Sequence, residues 1–435
     1  MPFIRTIFFL FCCGLLATVA HGQAANYGSP YSRFALGDQQ PFSLAQHRAM
    51  GSATLTLFDS VSLNLANPAS LTALRLTAIE FGGFGQASRL RTQTAVQDRA
   101  NINFAYLMFG FPVNKRWGTA LGFQPYAFTN YNLVSPVDSG FATWREEYQG
   151  KGGINQLSWA NGFDLGKGFH LGATAHLLFG EVLQERRFVY DYPDSLYLLN
   201  VRVTDRVRLA DVQFSLGLQY RREWTRGEGK RSKRFATVAL QADLPTQLRG
   251  SNDFVADRFR LVGSRLVVLD TVSDQSGNAG NINMPLQLGF GVQYGAHNWW
   301  QWNAEVRYTQ WSQFSLFNRP DSLQNSVFVA SGFQYIPKYD ASTGENVFFK
   351  TMRYRAGFKY HSGYLLFREQ RISELGMTFG VGIPVKRQFS MPSVNVAVEI
   401  GRRGTLNSGL VRENYTRVTV GFTLNDRWFV KRKYD

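Results

Sequence analysis

The chain has 435 residues, of which 15% are aromatic and 18% charged, with 41 glycines, 14 prolines and two cysteines. Charged residues fall short of the roughly 25% usual in soluble domains. A formal net charge of +16 would suit nucleic acid, but the first twenty-odd residues carry an export signal that removes that partner from reach.

The opening MPFIRTIFFLFCCGLLATVAHGQ has a charge at Arg5, an apolar run from Ile7 to Ala20, and Ala20 and Gly22 at the spacing of a signal-peptidase site. It reads as a secretory signal peptide over residues 1–22, cut before Gln23. Both cysteines leave with it, so disulfides, cysteine-ligated metals and thiol nucleophiles are excluded from the mature chain. No later apolar stretch is long enough to cross a bilayer as a helix. Aromatics, glycines and a mean hydropathy of −0.21 together suit strands with one greasy and one wet face, whose averages cancel.

Residues 23–75 show no sustained period, yet they are rich in apolar and small side chains, so they must be buried somewhere. Within them, LANPASLTAL (65–74) predicts a capped turn of helix: Asn67 at the N-cap, Pro68 at the first helical position, where its missing N–H is harmless, and about two turns to Leu74.

From residue 76 onward the period is two. In LQLGFGVQY, Leu286, Leu288, Phe290, Val292 and Tyr294 share one face while Gln287, Gly289, Gly291 and Gln293 share the other. WQWNAEVRY (300–308) and RYRAGFKY (353–360) split the same way. Candidate strands are 76–85, 101–111, 117–127, 152–165, 169–182, 206–221, 234–244, 284–295, 299–312, 325–336, 351–361, 373–384, 391–401 and 414–424. Fourteen is even, as closure with both termini on one side demands. The connections 128–151, 183–205 and 245–283 read as long outer loops, whereas 112–118 and 166–168 read as tight periplasmic turns. A sandwich would also alternate, but the wet face here is Gly, Gln, Asn and Thr with charges set mid-strand, as in a strand between lipid and a polar lumen. The fold expected is all-β: a transmembrane antiparallel barrel of about fourteen strands over residues 76–435, with residues 23–75 as a luminal plug, because fourteen strands enclose more space than their own side chains fill.

Catalytic and metal motifs are absent: no G-x-S-x-G, H-E-x-x-H, P-loop or Cys/His metal spacing occurs. His170 and His176 share the luminal face of one strand, with hydrogen bonding the expected role. Glu305, Arg307, Arg353, Arg355, Lys359 and Glu399 also point inward. Cross-strand pairing is one reading of them; the other is that the guanidinium forks hold the carboxylate of an amphipathic ligand. The basic runs at 221–234 and at RWFVKRK (427–433) read as solvated ends beside anionic headgroups, or as a docking place for a periplasmic or membrane partner.

The run GSATLTLFDSVSLNLA followed by Asn67, Pro68 and Ala69, with Gly51, Ala53 and Asp59 in it, resembles the N-terminal hatch of the FadL/TodX family of outer-membrane hydrophobic-compound transporters. Ser70 stands where that family usually has glycine. The opening YSRFALGD and the ending FTLNDRWFVKRKYD are similar to a FadL-like branch as well. This resemblance implies a monomeric outer-membrane barrel, without cofactor or catalysis, in contact with outer-membrane lipids. It would passively admit a hydrophobic or amphipathic small molecule such as a long-chain fatty acid, with Gly51, Asp59, Asn67, Pro68 and Ala69 as hatch motif. The resemblance leaves a second role open, because FadL-like barrels also serve in protein secretion: a non-transporting docking or carrier component of a secretion or envelope-assembly complex.

Overall fold

A computed structural model describes residues 28–138, 143–190, 199–227, 232–263, 265–338, 347–385 and 392–426. The signal peptide expected at 1–22, part of the basic run at 221–234 and the C-terminal RWFVKRK lie outside the described residues.

The alternating segments become fourteen wall strands, β1 to β14: Thr77–Arg91, Val96–Pro112, Trp117–Phe128, Thr143–Gly166, Phe169–Tyr190, Asn200–Thr225, Lys233–Asp243, Gln287–Ala296, Trp300–Thr309, Ser326–Tyr335, Arg353–His361, Glu374–Pro384, Ser393–Gly404 and Arg412–Asp426. Each pairs antiparallel with its neighbours. The ring closes between β1 and β14, from Thr77 opposite Asp426 to Arg91 opposite Arg412. Every strand expected from the sequence is there. Burial is inverted relative to a soluble sheet: outward Phe290 is 45% and Met377 56% exposed, while inward Thr174, Gln219, Asn303 and Thr378 are buried. Such a surface is stable only where lipid covers it and all backbone groups pair around a closed ring.

The three long connections differ from expectation. Most of 128–151, 183–205 and 245–283 is strand: Tyr131–Asp138 pairs with the start of β4, β4 to β6 begin or end far beyond the expected bounds, and Thr246–Val262 with Arg265–Met284 form a hairpin whose first strand pairs with Asn200–Leu209 of β6. The wall rises on this side as a tall sheet, since 22 to 26 residues exceed the 9–11 that cross a bilayer. The periodicity missed these extensions because no lipid holds one face continuously apolar, and buried side chains such as Val189, Leu248, Phe259 and Ile282 are scattered along them. Their side chains pair by charge instead, as in Arg202–Asp257 at 2.6 Å, Arg208–Asp253 at 3.0 Å and Arg258–Asp270 at 2.7 Å.

The ladder is incomplete in one place. β2 pairs with β3 only from Leu107 opposite Phe123 to Pro112 opposite Gly118; the rest of β2 pairs with β1 alone. Across this gap lies the first described segment, residues 28–39. Asp38–Gln39 pairs with Phe128 and Ala127 of β3, Arg99 of β2 donates to the Gly28 carbonyl, and Asn130 N donates to Ser32 Oγ at 3.3 Å.

Candidate functional site

Residues 28–76 fill the lumen, and the wall is shaped to receive them. Pro68–Ala73 forms a 3₁₀ helix with Asn67 in extended geometry (φ −136°, ψ 103°) as its cap, Oδ1 accepting from Ala69 N at 3.2 Å. Asn67 also bolts this helix to the wall, because Nδ2 donates to the carbonyls of Leu55 (3.1 Å) and, in β7, Leu240 (3.3 Å). Gly172 and Gly217 make the approach possible: a Cβ on either would overlap Pro68, Ala69 or Asn67. On the far side, Gly51 turns the hatch at φ +70° and its N–H reaches Thr378 Oγ1 at 2.8 Å. Asp59 sits at the short-turn end, exposed, accepting from Val61 N at 3.1 Å.

Two wall carboxylates accept from backbone donors of the hatch. Glu305 in β9 accepts from Thr54 N (2.7 Å) and Leu55 N (2.8 Å) and pairs with Arg307 at 2.6 Å. Glu80 in β1 accepts from Leu63 N (2.6 Å), Gln46 Nε2 (2.7 Å), Ser62 Oγ (3.0 Å) and Thr423 Oγ1 of β14 (3.1 Å). Asn303 Nδ2 and Gln219 Nε2 donate to the carbonyls of Ala53 and Leu55, each at 2.7 Å. Sequence reading had not singled out Glu80, Gln219 or Asn303. The available signal was a carboxylate at an inward position of the apolar strand TAIEFGGF.

The five candidate ligand residues do not form one site, because the hatch separates them. Above it, Arg307 and Lys359 border a chamber of about 260 Å³ that also contains Gln156, Asp243, Glu374, Arg403 and Arg417. Lys359 is paired across strands with Glu374 (2.7 Å) and Glu399 (2.6 Å), the structural role among the two considered. Arg307 and Glu305 serve the hatch. The chamber roof is apolar: Trp311, Phe314, Tyr364, Leu365 and Ile372, on loops folded inward, pack with Tyr31 and Leu36. Its walls mix amides and charges with Leu65, Tyr126, Met284 and Phe328. Below the hatch, Arg353 and Arg355 face a separate recess of about 480 Å³ at the short-turn end.

His170 and His176 point inward and are buried. His176 Nδ1 lies 2.8 Å from Ser158 Oγ and Nε2 2.9 Å from Ser215 Oγ, whose hydroxyl donates to Asp243 at 2.5 Å. A hydroxyl therefore stands between imidazole and carboxylate, so the ring is not oriented as an acyl-transfer triad requires. Among the described residues no group of three His, Cys, Asp or Glu could hold a metal ion.

Solved structures share this architecture. A Pseudomonas aeruginosa FadL homologue matches at TM-score 0.57 and 12% identity, covering 90% of this chain and all of its own. The CymD monoaromatic hydrocarbon channel matches at 0.56 and 13%, covering 91% and 99%, and the Ralstonia pickettii toluene transporter TbuX at 0.55 and 14%, covering 91% and 100%. At these identities the likeness establishes the FadL-type fold. No curated protein matches the chain in sequence. The family model of BamG spans residues 3–435, nearly the whole chain, and the protein belongs to the BamG family.

Proposed function

We propose that this protein is a monomeric outer-membrane barrel, with residues 23–75 as its hatch and 76–435 as its wall, that serves as a docking or carrier component of a protein secretion or envelope-assembly complex. The observation that carries this reading is the lumen: a hatch hydrogen-bonded to buried Glu80, Glu305, Asn303 and Gln219, under a chamber walled by charges and amides. A greasy solute would meet apolar side chains at the roof of this chamber, but it would take water from the charges and amides along its walls. Membership of the BamG family is in line with it. Outer-membrane lipid surrounds the wall; no cofactor, nucleic acid or catalytic step enters.

A second reading, passive uptake of hydrophobic or amphipathic molecules such as long-chain fatty acids, is favoured by the FadL-type fold and by the unpaired wall between β2 and β3. Native mass spectrometry with lipid extraction, on the barrel purified gently from its own membrane, separates the two. A stoichiometric protein partner without a small hydrophobic ligand supports the docking role. A co-purifying fatty acid that is lost on Asn67→Ala overturns it in favour of uptake.

A further inference from the structure

The recess at the short-turn end has more positive charge than its own surroundings neutralise. Arg221 is used internally: its guanidinium lies 4.0 Å from the Phe235 ring centre and 5.1 Å from that of Phe58, and it pairs with Glu223 at 2.8 Å. That leaves Arg75, Arg353 and Arg355 against Asp59 and against Glu80, which lies behind Gln46 and Thr423 of the lining. Arg355 is 6% exposed, yet its partners are neutral amides, Gln334 Oε1 at 2.7 Å and Asn395 Oδ1 at 2.9 Å. Arg353, two residues away on the same face, has no acidic side chain within ion-pair distance among the described residues. Overhead, the hatch presents His47 Nδ1 and Gln46 Oε1, both buried and unpartnered.

The lining reaches from Arg221 in β6 to Thr423 in β14, so the recess opens across the lumen under the hatch. Phe58, Phe235 and Trp299 along it offer apolar and aromatic contact between the guanidinium forks, which bind carboxylates bidentately.

We infer that this recess binds an acidic, aromatic-bearing peptide segment of a periplasmic partner, through Arg353 and Arg355. The inference rests on the docking role proposed above and names the face and chemistry of that docking.

The test uses the full chain in non-ionic detergent and a fluorescein-labelled peptide of about twelve residues that alternates Glu with Phe and Val, read by anisotropy. The Lys-for-Glu counterpart, octanoate and phosphatidylglycerol serve as comparators. The expected result is saturable binding of the acidic peptide alone, weakened about tenfold or more by Arg353→Gln. Because Arg355 is buried in an amide network, Arg353→Glu is the second variant, checked for native heat-modifiable mobility on gels, and it abolishes binding. Equal binding of the Lys peptide, or full affinity in Arg353→Glu, overturns the proposal. So does displacement by octanoate or by phosphatidylglycerol, which would assign the recess to a small amphiphile or to lipid. If the peptide fails while a protein partner still co-purifies with the barrel, only this site falls; if no partner co-purifies, the docking role falls with it.

Discussion

Replacing Glu305 by alanine tests whether wall carboxylates hold the hatch. The change removes the acceptor for Thr54 N and Leu55 N and the counter-ion of Arg307. A buried N–H left without an acceptor costs ~1–3 kcal/mol. The low end applies to each here, because the space vacated by the side chain admits water, so docking of the hatch weakens by about 2–3 kcal/mol. β9 keeps both ladders, to β8 and β10, so the wall stands. At tenfold per 1.4 kcal/mol, the undocked population rises ~30- to 150-fold. Arg48, 4% exposed inside the hatch, is the reporter, since cleavage of a transiently opened segment follows its open population when reclosing is fast. Tryptic cleavage at Arg48 in detergent should accelerate by that factor with the barrel's heat-modifiable mobility unchanged. Glu305→Gln, which keeps one acceptor, should fall between. Cleavage as slow in Glu305→Ala as in the parent would refute the reasoning.

Asn67→Ala loses a helix cap and two bonds to neighbouring carbonyls, about 1–2 kcal/mol, and should raise the same cleavage rate roughly tenfold; an unchanged rate would mean that the glycine-lined seat alone holds the helix. Gly357→Ala places a Cβ against Met50 and Gly51 of the hatch and should give conducting events in planar bilayers where the parent is silent; continued silence would show that the wall yields instead. His47 is held down to about 3, first by burial and then by Arg355, so the docked hatch refuses a proton that the free hatch accepts below about 6.5. Docking is therefore fully favourable above about pH 6.5 and is lost progressively as pH falls toward 3. Amide exchange in residues 44–57, corrected for its intrinsic rate, should be faster at pH 5 than at pH 7.5, and His47→Gln should flatten the difference.

The wall was legible wherever lipid imposes alternation. Phe290 and Val292 against Gly289 and Gly291 identify β8 because one face must be apolar, and the expected ends there fall within a few residues. Where the bilayer stops, so does the signal. Asn200–Leu209 and Thr246–Val262 pair through Arg202–Asp257 and Arg208–Asp253, and alternating opposite charges look like loop when read along one strand. The hatch helix was legible locally, through Asn67 and Pro68, but its anchors were not. Glu80, Gln219 and Asn303 are ordinary luminal residues until the fold brings them to backbone groups that are 17, 164 and 250 positions away. Arg353 and Arg307 share an inward-facing pattern, and only the hatch lying between them assigns one to a recess and the other to a chamber.

Deleting residues 23–75 asks whether the hatch belongs to the barrel's stability or to its closure. At the seam the hatch meets both end strands, Gln46 donating to Glu80 of the first and Ala45 packing on Gly421 of the last, which makes it a staple across the point of ring closure. Yet that seam has its own fifteen-residue register from Thr77 to Arg91, and each other wall strand is paired on both sides without the hatch, β2 and β3 partially so. Once the plug is gone, Glu80 and Glu305 face water rather than a dry core, so neither becomes an unpartnered buried charge. The exposed remainder is a patch of mostly small inward side chains, Ala78, Ala120 and Ala160 beside Tyr106 and Met108, tolerable in a water-filled lumen. The truncated chain should therefore refold into a heat-modifiable barrel and conduct steadily in single-channel recordings. A truncated barrel as tight as the parent would refute closure by the hatch, and a chain that aggregates instead of folding would show that the seam needs its staple.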